Sequence, residues 1–246
     1  MSEEKSVGYV RLVEACDGPG CPVCRCVIEE SRGHIRALLY EHVTDPDTRR
    51  ALRASWGFCN WHTWMLLEVE HAIFGAAIIY EDLLRIALEQ TERLDDEAEG
   101  ARRGWIRGWR RPRRLAFAER YRQRSACPVC MTAAGTEHRC LQALTTLVDD
   151  GDLQAAYARS DGLCLPHVVG ALEVSGDRAE VRTLVARTRE RWRRLRHEVA
   201  SFVAKHDYRN RERFTEAEAA SSARAFELLA GARSVFGNDA RRAPPR

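Results

Sequence analysis

The chain has 246 residues, 45% hydrophobic and 30% charged, a globular balance that excludes a disordered polyelectrolyte. Its formal net charge of +3 excludes a polycation, and the skew toward Arg, with Lys only at Lys5 and Lys205, reads as codon composition in a GC-rich genome. Met1 to Val10 lacks the basic and apolar regions of a signal peptide, and the most apolar stretch, Ala72 to Tyr80, is far shorter than the ~20 residues of a membrane span. These features lead us to expect a cytoplasmic protein with no transmembrane segment. Nine cysteines in such a chain point to metal or redox chemistry rather than to disulfides.

In chain order, the first signal is Cys21-Pro22-Val23-Cys24, followed by helical spacing of Ile28, Ile35, Leu38, Leu39 and Val43 from Val27 to Val43. Asp45-Pro46-Asp47 then supplies a stop, an N-cap and a first-turn proline for a short second helix through Arg53. Gly57 follows where a helix end favours a left-handed residue, and Cys59-Asn60-Trp61-His62 opens a long third helix to about Arg93. From Arg102 to Arg124 comes a basic stretch with ten Arg and one acid, Glu119, interleaved with Trp105, Trp109, Phe117 and Tyr121. Positive charge with aromatics can meet nucleic acid, an anionic membrane surface or an acidic partner. Aromatics spaced at multiples of four suit better a helix packed on its neighbours, with Arg stems covering the stripe.

The pattern then repeats. Cys127-Pro128-Val129-Cys130 lies 106 residues after the first CPVC, and Gly162-Leu163-Cys164-Leu165-Pro166-His167 lies 105 after Gly57 to His62. At the 105 offset Val43, Asp45, Asp47, Ala51 and Ser55 match Val148, Asp150, Asp152, Ala156 and Ser160. Leu67-Glu68-Val69 likewise matches Leu172-Glu173-Val174. The register implies a tandem duplication. The second long helix is expected to break at Ser175-Gly176-Asp177 and resume to about His206, and no stretch alternates as a strand does. We thus expect an all-α protein in four parts. Residues 1–94 form the first repeat, 95–124 the basic linker, 125–206 the second repeat, and 207–246 a C-terminal helix and disordered tail.

Thiolate and neutral imidazole are zinc ligands, and four of them close a tetrahedral site. Each repeat offers such a set: Cys21, Cys24, Cys59 and His62 in the first, Cys127, Cys130, Cys164 and His167 in the second. Pro22 and Pro128 suit the first position of a helix, so the first Cys of each pair caps it and the second lies one turn on. Helix dipoles there favour thiolate. Two zinc ions per chain are expected, with an iron–sulfur cluster or a CPxC dithiol as the redox alternative. Glu68 and Glu173, six residues after the histidines, are candidates to orient the sites. Cys16, Cys26 and Cys140 have no counterpart in the opposite repeat. No phosphate loop, nucleophile elbow or dinucleotide fingerprint appears, which argues for a binding or regulatory scaffold with a protein partner rather than for an enzyme.

The doubled CPxC…CxxH pattern, the His206-Asp207-Tyr208-Arg209 stretch and the helix around Ala225 to Gly231 resemble a family of uncharacterised bacterial and archaeal proteins, known only as a domain of unknown function. The resemblance covers about Cys21 to Gly231 and implies no particular chemistry. The tail departs from it: Thr215 to Arg224 contains no Trp.

Overall fold

Proline and aspartate punctuation sets several helix starts. The computed structural model describes residues 7–102, 113–147, 149–175 and 179–236. Among these residues there are eleven α-helices and no strand. In chain order they are α1 (Val7–Ala15), α2 (Pro22–Tyr40), α3 (Pro46–Ser55), α4 (Asn60–Met65), α5 (Ile73–Arg102) and α6 (Arg113–Arg122). Then follow α7 (Pro128–Thr146), α8 (Gly151–Arg159), α9 (Leu165–Ser175), α10 (Ala179–Lys205) and α11 (Glu216–Ala230). Pro22, Pro46 and Pro128 each occupy the first helical position, where a missing N–H leaves no bond unmade. Asp45 and Asp150 cap α3 and α8 by accepting from the N–H of Thr48 and Leu153, so the expected short second helices form in both halves. No helix of the described residues is long and apolar enough to cross a membrane.

The chain divides into two compact units, each described by itself. One comprises Met1–Glu30 and Ala133–Arg246, the other Ser31–Thr132. The divisions fall inside α2 and α7, so the first unit draws on both halves of the sequence, and the second contains Cys127 and Cys130 beside Cys59 and His62. In the first unit Leu12, Val23, Leu144, Ala156, Tyr157 and Leu163 form the centre of the core, all buried. In the second unit Ile35, Leu38, Leu52, Met65, Ile79 and Val129 do so. Beside that core Asp82 is buried among guanidinium groups: Arg53 binds it through two nitrogens at 2.7 and 2.8 Å, and Arg85 at 2.8 Å.

The third helix of the first half differs from expectation. It is not continuous: after α4 comes a 3₁₀ turn (Leu66–Glu68), then extended Val69 and His71 at φ 56°, before α5 begins. The Tyr40 hydroxyl donates to the Glu70 carbonyl at 2.9 Å and holds the break in place. The break re-aims the chain so that Gly75 packs on α2, where a Cβ would stand 2.5 Å from the Leu39 carbonyl oxygen. In the second half α9 ends at Ser175 and α10 begins at Ala179, and the expected interruption at Ser175-Gly176-Asp177 falls largely on residues outside those described. The C-terminal helix expected within 207–246 runs from Glu216 to Ala230, and Thr215 and Glu218 form a capping box at its start. Of the basic stretch, Trp105 and Trp109 lie outside the described residues. Phe117 and Tyr121 of α6 meet Trp56 edge-on, with ring centroids 5.6 and 6.0 Å apart.

Candidate metal centres

All eight predicted ligands sit at helix starts. Cys21 accepts the N–H of Arg25 and Cys127 that of Met131, which makes each the residue before α2 and α7, with Cys24 and Cys130 one turn on. Cys59 and Cys164 likewise accept the N–H of Thr63 and Val168, placing His62 and His167 in the first turns of α4 and α9. Gly57 and Gly162, at φ 83° and 80°, turn the chain into these second pairs.

The eight residues converge in two groups, but not in the expected ones. The first group is Cys21, Cys24, Cys164 and His167; the second is Cys59, His62, Cys127 and Cys130. Each holds three Cys and one His, as expected, while every CPxC pair meets the CxxH pair of the other sequence half. Helical spacing fixes which two ligands stand together, because one turn separates them. Which pairs meet is decided by helix packing, and the spacing between pairs does not encode it. Each group lies wholly within one compact unit.

The geometry fits one tetrahedral ion per group. Within each group the ligand atoms all lie within 4.8 Å of one another. In the first, His167 Nδ1 stands 3.3, 3.4 and 3.2 Å from the sulfurs of Cys21, Cys24 and Cys164, and Cys24 Sγ is 3.7 Å from Cys164 Sγ. In the second, His62 Nδ1 stands 3.2, 3.6 and 3.4 Å from Cys59, Cys127 and Cys130, with Cys130 and Cys59 3.6 Å apart. Zinc bound at about 2.3 Å to sulfur and about 2.0–2.1 Å to nitrogen needs tetrahedral edges of about 3.8 Å between sulfurs and about 3.5 Å from sulfur to nitrogen.

The electrostatics of the donors point the same way. Hydrogen bonds from Cys127 and Cys130 hold the Cys59 thiol well below its ordinary value, while Cys127 and Cys59 push Cys130 up. In the first group, contact with Cys164 and Cys21 raises Cys24. Burial works against a charge on His62, yet Cys127 and Cys59 outweigh it and raise the imidazole to about 9. Crowded sulfurs cannot all ionise against one another, and a divalent cation removes that conflict.

The surroundings of the first group include parts that sequence reasoning missed. His167 Nε2 is buried without a hydrogen-bond partner among the described residues, and Glu137 Oε1 stands 3.5 Å away. A carboxylate behind the outer nitrogen of a ligating histidine fixes its tautomer and orientation. The turn after α11 covers the same group: the Ala232 N–H donates to Cys24 Sγ at 3.4 Å, and the Phe236 ring lies 5.0 Å from the His167 ring. Glu68, expected near the second group, is instead exposed and paired with Arg32 at 3.0 Å. Glu173 is exposed as well. Glu137 carried no signal in the linear pattern, because it lies on α7 and its partner histidine on α9. Cys26 and Cys140 are buried outside both groups, and the Cys26 thiol donates to the Arg11 carbonyl at 3.7 Å. Burial and the neighbouring Asp17 push the Cys16 thiol up to about 12.

Comparison with curated proteins and with solved structures gives no match. A family of unknown function, DUF6062, matches residues 6–234, nearly the whole chain and both Cys/His groups. The chain therefore belongs to the DUF6062 family.

Proposed function

We propose that the protein binds two zinc ions per chain, one in each compact unit, and uses them as structural centres of a binding or regulatory scaffold. The observation that carries this reading is the approach of three sulfurs to one histidine Nδ1, at edges of 3.2–3.7 Å, in both groups. Such edges suit a single ion. A multi-iron cluster places its own body between the ligands and holds them farther apart. With three Cys and one His around each ion, no coordination position remains for water or substrate, so the zinc acts on folding and not on a reaction. We read the chain as a tandem duplication in which the CPxC pairs of the two repeats have been exchanged. A protein partner is the favoured ligand of the scaffold. Phe117 and Tyr121 are already engaged with Trp56, which disfavours base stacking by that part of the Arg102–Arg124 stretch.

Elemental analysis of anaerobically purified protein tests the proposal. The expected result is a colourless protein with two zinc per chain. Brown protein with iron and inorganic sulfide, or a stoichiometry near one, overturns it.

A further inference from the structure

A cleft of about 440 Å³ opens in the first unit, with Cys21 and Cys164 of its metal group in the wall. Clefts of roughly 300–1,000 Å³ suit small molecules. Leu163, Leu195 and Leu228 give it apolar surface, and the loop before α2, the turn between α8 and α9, α10 and α11 all border it.

Its charges are not all neutralised. Arg159 pairs with Asp17 and Arg224 with Glu198, each at 2.8 Å. Arg191 donates to the carbonyls of Tyr157 and Ala158, and neither it nor Arg194 has a carboxylate partner among the described residues. Asp161 accepts the Gly20 N–H at 2.8 Å, and neither it nor Glu227 has a cationic partner among them. Two guanidinium groups from α10 and two carboxylates from other elements thus border one cleft.

The second unit carries different residues at the matching sequence positions. Trp56 stands 105 residues before Asp161, and it packs there with Phe117 and Tyr121. Gly57 lies against Leu83, whereas its counterpart Gly162 lies against Arg191. An apolar pair, Trp56 and Leu83, thus stands beside Gly57 in one unit, and a charged pair, Asp161 and Arg191, beside Gly162 in the other.

We propose that this cleft is a binding site for a small zwitterion of the α-amino acid class. Arg191 and Arg194 receive the carboxylate, Asp161 and Glu227 the ammonium group, and the leucines the side chain. The ligand lies against the metal centre without joining its coordination, so the site stands independently of the zinc proposal.

The test is titration of the full-length protein with each of the twenty common amino acids, followed by calorimetry and ligand-observed NMR. Acetate and methylammonium serve as probes carrying one charge each, and metal content is measured on the same samples. At least one amino acid is expected to bind with a Kd below about 1 mM, and neither single-charge probe should match it. Asp161→Trp, which places at 161 the residue found at 56, should abolish binding. Arg194→Glu, at an exposed position, should weaken it by about tenfold or more while helicity and metal content stay unchanged. Absence of binding by all twenty, equal binding of acetate, or binding indifferent to Arg194→Glu overturns the proposal and leaves the metal reading standing. Amino-acid binding by protein that holds no metal would overturn the metal reading alone.

Discussion

A histidine that ligates through Nδ1 turns its other nitrogen toward the protein, and at His167 that nitrogen faces Glu137. Replacing Glu137 by Gln keeps the shape and removes the charge, so the first centre should lose about 10- to 100-fold in metal affinity. Competition with a chelator should then strip one ion early and leave the second unchanged; simultaneous loss of both would contradict the assignment. Asp82 offers a second single-residue test. Hydrogen bonding to Arg53 holds its carboxyl at about 2, below the ordinary 3.8. Because the folded value is the depressed one, its contribution is complete above the unfolded value and disappears as pH falls from about 4 toward 2. Asp82→Asn should destabilise the protein at neutral pH by about 1–2 kcal/mol, and the difference from wild type should shrink over that acid range in denaturant titrations. All eight candidate ligands were legible in the sequence because a Cys-x-x-Cys or Cys-x-x-His at a helix start is a one-turn arrangement. Glu137, Ala232 and Phe236 were not, since each reaches its group from an element remote in sequence.

The helices were legible where a proline or an aspartate cap begins them, although the capping box that starts α11 went unread. Pro22, Pro46 and Pro128 stand at first positions, and aspartates cap α3 and α8. The break between α4 and α5 was not legible, because the strong periodicity of residues 59–93 fits one helix equally well. What accompanies it is tertiary: beyond the break Gly75 lies against Leu39 of α2. A Cβ at position 75 would stand 2.5 Å from the Leu39 carbonyl oxygen, which is backbone and cannot swing away. Gly75→Val should therefore lower stability by about 1–3 kcal/mol or more. Gly33→Ala, where nothing lies within 4 Å of the added carbon, should be neutral or slightly stabilising. Thermal melts of the two variants check this, and equal melting temperatures would mean that the α2–α5 approach is wrong.

Taken as one chain, the protein folds into units that each carry a CPxC pair from one half of the sequence and a CxxH pair from the other. The repeated motifs were readable, yet the simplest expectation from them, one site per repeat, is not what the packing delivers. Acidification should release metal from both centres, since thiolates and neutral imidazole must take up protons as the pH falls. Metal loss should also cost stability in both units, though by less than the ~10 kcal/mol or more seen where zinc alone drives folding, because each unit has its own apolar core. The exchange of partners is tested most directly by counting ions in paired substitutions by native mass spectrometry. Cys24→Ser with Cys164→Ser strikes one centre twice, so the account predicts that one zinc remains. Cys24→Ser with Cys59→Ser strikes both centres, and both ions should be lost or weakened. The reverse pattern, with one zinc kept in the second variant and none in the first, would contradict the exchanged pairing.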